Sequence, residues 1–424
     1  MKKIAFIALL SVSVLTIAGC GRTRTQKGKL PSGGTEIDIY SEEGKSKLAE
    51  IETGMAEKLS SNLLSSFGVN LSSEDVNYGA ELNNFNVSNF FSAPASASIK
   101  MEGIGADLAV KVAKNSKGNV DASATLDNVK GKYEIKAYFP EMRENSGDAH
   151  GAVNIDSSLD ISGAKAAAYY QGEYVYVDAS NLDNVVAKAE TFVNEVIAGL
   201  NQSFVAPYIA SALSSYLDES GNVPLSAYWD SLFGGATNKK IKFDVGETQW
   251  FSEDDQASLV SYLKELDVVS LIDAANEIGI NTSMVIYKEG TYGFQLSLDK
   301  EGLMGMINNI LGENIAAEAA SILSVISDSI TKFDVSAAFY FEDYMLTSAS
   351  LGTDVAISIP DLGVFVPEES RELVALTGSV SASISGSIFA DIAYQNTTVS
   401  FPDLSGYTLM EISKESSPED SIED

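Results

Sequence analysis

Very few side chains in this sequence are equipped for covalent or metal chemistry, and they do not cluster. Among 424 residues there is one cysteine, Cys20, and one histidine, His150. A nucleophilic thiol needs a base beside it, and a zinc site needs several Cys, His, Asp or Glu ligands. His150 stands in the polar run from Arg143 to Gly151 without such company and reads as a loop residue. Paired carboxylates hydrolyse glycosides, but with 59 Asp and Glu residues no spacing singles out a pair, and they read as a solvated surface. Glu253, Asp254 and Asp255 fit the start of a helix, where the macrodipole favours negative charge. The sequence contains no nucleophile elbow, phosphate loop or EF-hand calcium loop. The expectation is a protein without catalytic residues, bound metal or cofactor.

The surroundings of Cys20 point to a different use of its sulfur. Lys2 and Lys3 precede an uncharged apolar run from Ile4 to Ile17, and small residues, Ala18 and Gly19, follow it. This is the layout of a secretory signal, too short and wrongly flanked for a transmembrane helix. Ile17-Ala18-Gly19-Cys20 resembles the lipobox of bacterial lipoproteins. The resemblance implies removal of residues 1–19, acylation of Cys20 by groups such as palmitate, and attachment to a membrane of the cell envelope on its extracytoplasmic side. Gly21 is not the aspartate that resembles an inner-membrane retention signal, and which membrane carries the anchor is left open. Residues 20–41, with Arg22, Arg24, Lys27 and Lys29 ahead of Pro31-Ser32-Gly33-Gly34, read as a flexible basic linker reaching roughly 25 Å.

The rest of the chain is 45% apolar and 21% charged overall, a globular composition long enough for a large core. A net charge of −31, with no basic patch outside the linker, argues against a nucleic-acid partner. With one cysteine, no intramolecular disulfide can form.

Periodicity divides residues 42–410. Leu48, Ile51, Met55, Leu59, Leu63 and Phe67 recur at helical steps after Ser41, a fitting N-cap, with a stop at Gly68. Residues 69–94, rich in Asn and Ser, read as a loop with short strands. From Ala95 the period becomes two. Ile99 and Met101 share a face, then the phase slips at Gly103 and Gly105 before Leu108, Val110 and Val112, the mark of a bulge or sharp bend. Further strands are expected around Val120–Phe139, Val153–Ile161 and in an aromatic hairpin, Ala166–Asp178, turning at Gln171-Gly172. Helices follow from Val185, with a break at Pro207, and an irregular stretch from Pro224 to Gly235. Another helix spans about Ser252–Ile278. A hairpin turning at Glu289-Gly290 precedes a helix expected from Glu301 to about Ile330. Strands resume at Phe333–Phe341 and Leu346–Ile359. A last hairpin turns near Gly386, with Val399–Pro402 closing the sheet. Residues 411–424 form an acidic tail expected to be disordered.

Meanders of strands interrupted by helical blocks predict an α+β fold, a large curved antiparallel sheet with helices on its concave face. The N-terminal amphipathic helix, the hairpin Tyr169-Tyr170-Gln171-Gly172-Glu173-Tyr174-Val175-Tyr176-Val177 and the late segment Val399–Tyr407 give an element order that resembles the LolA-like lipoprotein-carrier fold. That resemblance implies an open half-barrel enclosing a hydrophobic cavity, and none of the family's functional residues can be placed here. Met304, Met306, Ile307 and Ile310 lie on a helix apolar on several sides, and such adaptable side chains suit a cavity for a lipid tail. Tyr170 and Tyr174 are candidates for its mouth. The expected function is a lipid-anchored binding protein holding a lipid or other hydrophobic molecule between sheet and helices. The alternative is a surface lipoprotein with a structural or protein-interaction role.

Overall fold

The computed structural model describes residues 25–410, apart from 26, 62–65, 88–90, 142–151, 202–205, 237, most of 250–267, 278, 312–323, 367–369, 371–373 and 395–396. Cys20, His150 and the tail 411–424 therefore lie outside the described residues. The fold is α+β. Its strands are β1 (Thr35–Ile37), β2 (Ser66–Val87), β3 (Ala95–Lys114), β4 (Val120–Phe139), β5 (Val153–Gln171), β6 (Tyr174–Asp178), β7 (Lys240–Asp244), β8 (Asn281–Lys288), β9 (Thr291–Asp299), β10 (Ile330–Glu342), β11 (Met345–Ile359), β12 (Leu376–Tyr394) and β13 (Thr408–Met410). They form one 13-stranded sheet in the order β1-β8-β9-β10-β11-β12-β2-β3-β4-β5-β6-β7-β13. Two meanders, β2 to β7 and β8 to β12, are thus joined by the pairing of β12 with β2. Every pairing is antiparallel except that of β13 with β7.

Alternation along the strands gives the sheet one apolar and one polar face. The row Ile357, Ala382, Ala80, Ile99, Ile135 crosses five strands on the apolar face. Its polar neighbour is Ser358, Ser381, Glu81, Ser98, Lys136. All six labelled helices come from insertions or flanks of the meanders: α1 (Glu42–Ser61), α2 (Asp183–Leu200), α3 (Ala206–Leu213), α4 (Leu225–Leu232), α5 (Val268–Glu277) and α6 (Lys300–Leu311). α1 starts where Ser41 Oγ accepts the Gly44 amide at 3.0 Å, satisfying one of the free donors of the first turn. Its Leu48 and Ile51 pack with Ile272 of α5 onto Met284 and Tyr292, all buried. At the opposite edge Trp229 and Phe233, from α4 and its C-cap, cover Val177, Ile241 and Phe243. α2 lies on β5, where Ser157 Oγ donates to Glu195 at 2.6 Å. These contacts are all on the apolar face.

A seam of bulges crosses the long central strands. Register shifts occur around Val76 in β2, Gly105 in β3 and Val129 in β4. Asp75, Gly103, Asn128 and Gly163 of β2 to β5 all adopt left-handed backbone, with φ of 49°, 60°, 53° and 68°. Each inserted residue restores the phase, so Met101 and Ile104 share a face although they are three positions apart. Side chains take up the amides that the bulges release: Asn77 Oδ1 accepts from Gly103 N at 2.8 Å, and Ser73 Oγ from Ala106 N at 3.0 Å. Asp107 gathers Ser72 and Asn128 side chains at 2.5 and 2.6 Å.

Several expectations are corrected. The 69–94 stretch is mostly one 22-residue strand, β2, and Phe67 and Gly68 belong to it rather than to α1. Asn70, Ser72 and Glu81 face outward, and the slip at Asp75 hides the strand's alternation. Residues 376–394 are one strand rather than a hairpin, with Gly386 (φ 149°) facing the β2 bulge instead of making a turn. Leu225–Leu232 is helical, and the closing strand is β13 rather than Val399–Pro402.

The basic segment 20–41 is not a free linker from Thr25 onward. Thr25, 1% exposed, bonds to Ser348 Oγ through Oγ1 at 3.1 Å. Gly28 N donates to Ser350 Oγ at 3.0 Å, Leu30 N to Gln295 Oε1 at 3.3 Å, and Tyr287 OH to Pro31 O at 2.6 Å. This strap crosses β11, β10, β9 and β8 on the polar face, then becomes edge strand β1 and enters α1 on the other side. A Cβ on Gly352 would come 2.3 Å from Lys27 O, so the approach requires glycine there.

The seam can be tested at Gly103, where space is open and only the backbone is demanding. Gly103→Val is expected to lower stability by about 1–2 kcal/mol in urea unfolding. Gly103→Asn, which tolerates left-handed backbone, should lose less than half as much. Equal losses would contradict a conformational role for Gly103.

Candidate functional site

The described helices do not cover the apolar face evenly. Helices pack on β5 to β7 and on β8 to β10, at its two flanks. Between them, on β11, β12, β2 and β3, Leu351, Ile357, Ile384, Tyr78 and Ile99 are 36–41% exposed. All but Leu351, farther along β11, belong to two adjacent rows: Val355, Ile384, Tyr78, Met101, Tyr133 run beside Ile357, Ala382, Ala80, Ile99, Ile135. From β11 to β4 the trough spans about 19 Å, and from Leu351 to Ile359 about 26 Å, taking ordinary strand spacing and rise. Its side chains are partly exposed across this footprint, and large exposed apolar patches on soluble monomers are often functional. Phe85, Phe91 and Phe139 close one end, with successive ring centroids 6.1 and 6.3 Å apart. At the other end Val69, Ala349, Ala390 and Ile392 are buried.

A separate cavity of about 380 Å³ lies beside α1, lined by Lys47, Glu50, Ile51, Ile286, Lys288, Glu289, Gly290, Tyr292 and Tyr344. Glu50 accepts from Lys47 Nζ at 2.6 Å and, on its other oxygen, from Tyr344 OH at 3.0 Å. Those hydrogen bonds, Lys47's first, hold the Glu50 carboxyl below the usual carboxylate range against partial burial. Tyr344 itself has φ 64°, uncommon for a bulky residue. Tyr292 is 2% exposed and stacks on Phe341 at 4.8 Å, and its hydroxyl has no hydrogen-bond partner among the described residues.

The residues singled out from sequence are scattered. Tyr170, on the apolar face, donates to Gly246 O at 2.8 Å. Tyr174 pairs with Gln171 and points to the polar face, and the hairpin turns at Gly172-Glu173, one residue later than expected. There it lies 6.2 Å from Tyr176, with Lys242 Nζ 5.0 Å from its ring. The two tyrosines therefore cannot line one cavity. They belong to a hairpin buttressed by the segment 397–407, where Tyr407 meets Tyr176 edge-on at 5.3 Å and Phe401 meets Tyr169 at 6.3 Å. Met304, Met306 and Ile307 are half-buried on α6, by β9 and β10. The side chain of Ile310 lies outside the described residues. Seven strand steps, about 34 Å along the sheet, separate β9 from β5. Tyr78 and Ile384, in one exposed row, and Ile99 and Ile357, in the next, have no local signal that groups them. Alternation is legible in β3 and β11 but broken in β2 by its bulge.

Among the described residues no helix is long and apolar enough to cross a membrane. No family model and no curated protein matches the chain. Among solved structures, it is similar to a beta-barrel-like protein of domain of unknown function DUF1849 from Brucella abortus. Identity is 7%, over 76% of this chain and 98% of that one, with a TM-score of 0.12. So loose a superposition carries no argument about this protein's fold or function.

Buried phenols make stability sensitive to alkali. Burial pushes Tyr407 up to about 12 and raises Tyr292 further. Their contribution is complete below pH 10, where unfolded tyrosine is still neutral. Above it, each phenol that stays neutral in the fold but ionises on unfolding lowers stability by about 1.4 kcal/mol per pH unit. Urea midpoints should fall between pH 10 and 12. Tyr292→Phe should shallow that slope by one proton and, by removing an unpartnered hydroxyl, raise stability at pH 7 by about 1 kcal/mol. An unchanged slope would contradict the burial of this group.

Proposed function

We propose that this chain is an extracytoplasmic binding protein anchored through acylated Cys20, holding a lipid or other hydrophobic molecule against the apolar face of its sheet. The carrying observation is the exposed apolar trough between two helical flanks, with Tyr78, Ile99, Leu351, Ile357 and Ile384 at its surface. Water against these side chains is unfavourable by about 25 cal/mol per Å² of apolar area, which an acyl chain laid along the strands would recover. The lipobox resemblance of Ile17 to Cys20 supports the anchor, and the LolA-like order of elements supports a hydrophobic ligand. The ligand contacts proposed from the geometry are the trough residues, with Met304 and Met306 on the flanking α6 as secondary contributors.

The test is native mass spectrometry of the chain carrying Cys20→Ser, purified without detergent and incubated with phosphatidylethanolamine and phosphatidylglycerol vesicles. A bound lipid is expected, reduced at least tenfold by Ile99→Asp with Ile384→Asp in a variant whose circular dichroism is unchanged. A lipid-free chain before and after incubation would contradict the ligand.

One observation favours a second reading, a surface lipoprotein that recruits protein. Val364 and Phe365, on the 3-10 turn Leu362–Phe365 between β11 and β12, are 45% and 44% exposed. Under that reading Phe365→Ala weakens partner capture and leaves lipid content unchanged.

A further inference from the structure

We propose that the N-terminal strap holds the anchored protein with the polar face of its sheet toward the bilayer and the apolar trough turned away from it. The inference rests on the acylation of Cys20 proposed above and adds the geometry of attachment.

The distance available is short. The strap is fixed at Thr25, 1% exposed and bonded to Ser348 on the polar face of β11. Five residue steps separate Thr25 from Cys20, and a fully extended chain covers at most roughly 18 Å in five steps. Reaching the other side needs more. Ser348 lies three residues inside β11, which begins at Met345, so about 10 Å are needed to clear the strand end. The sheet and the α1–α5 layer packed on its apolar face add about 10 Å each. A path of about 30 Å exceeds a tether of about 18 Å, and a bilayer holding Cys20 cannot lie against the apolar face.

The docking is firm enough to transmit this restriction. Gly28 N donates to Ser350 Oγ at 3.0 Å, and Ser336 Oγ donates to Lys27 O at 3.3 Å. The strap sits in a track of small side chains and glycine, where Ser336, Ser348 and Ser350 are each at most 5% exposed. Charge plays a lesser part. Lys27 and Lys29 are exposed on the strap and attract an anionic leaflet, each by about 1 kcal/mol. Elsewhere on the polar face lysines alternate with acids, as in Lys165 with Asp127 at 3.2 Å. The tether sets the orientation. A hydrophobic ligand would then enter the trough from the aqueous side instead of from the bilayer that carries the anchor.

The experiment uses the full acylated chain in phosphatidylglycerol-containing vesicles. A donor fluorophore is placed at Lys165→Cys or Lys332→Cys on the polar face, or at Leu351→Cys on the apolar face, with an acceptor on lipid head groups. Energy transfer from both polar-face positions is expected to exceed that from position 351 at least twofold. Inserting twenty Gly and Ser residues after residue 24 should abolish the difference. Equal transfer in the uninserted protein, as in an end-on arrangement, or stronger transfer from position 351 would overturn the proposal while leaving the anchor intact. A chain without acyl mass that fails to float with vesicles would overturn the anchor as well.

Discussion

One constraint governs the molecule: a sheet of thirteen strands must keep its apolar residues on a single face over strands about twenty residues long. Strands of that length twist, and a period of two leaves no tolerance for slippage. The seam through Asp75, Gly103, Asn128 and Gly163 answers both demands, because each bulge bends its strand and resets its phase by one residue. Without the resets, half of each long strand would turn its Ile and Val side chains to the polar face. The side-chain hydrogen bonds from Asn77, Ser73 and Asp107 are the local compensation for breaking the ladder at four neighbouring places.

The helices and the termini follow from that face. Helices cover the apolar side at the flanks, where Met284 and Tyr292 on one edge and Ile241 on the other are buried. The strap from Thr25 and the segment 397–407 both cross the polar side and lead into three-residue edge strands, β1 on β8 and β13 on β7. Short edge strands limit the backbone left open for pairing with another molecule. The centre of the apolar face remains, and its exposure is the feature that a binding function would use.

The sequence showed this architecture where the period was clean. The slip at Gly103 announced the bulge in β3, and the alternation of Phe333 to Phe341 announced β10. β2 escaped because its outward positions are Asn, Ser and Glu and its phase breaks at Asp75, a residue with a side chain where β3 and β5 have glycine. Gly386 looked like a turn because a glycine amid small residues usually makes one, whereas here it relieves crowding against Val76. The candidate residues Tyr170 and Tyr174 are not brought together, for a physical reason. They are close in sequence, but residues four apart across a two-residue turn fall on opposite faces of the hairpin. Row neighbours such as Ile357 and Ile99 are brought together only by pairing across β12 and β2, which no local pattern encodes.

A binding role for the trough requires the centre of the apolar face to be open to water when empty and closed when a hydrophobic molecule is bound. Hydroxyl-radical footprinting read by mass spectrometry measures this directly at Tyr78 and Met101, with fully buried Met284 as the internal reference. In lipid-free protein Tyr78 and Met101 should be oxidised several-fold faster than Met284, and incubation with phospholipid vesicles should slow them to near its rate. Tyr78 and Met101 protected as well as Met284 in the lipid-free chain, or oxidised equally with and without lipid, would contradict the account.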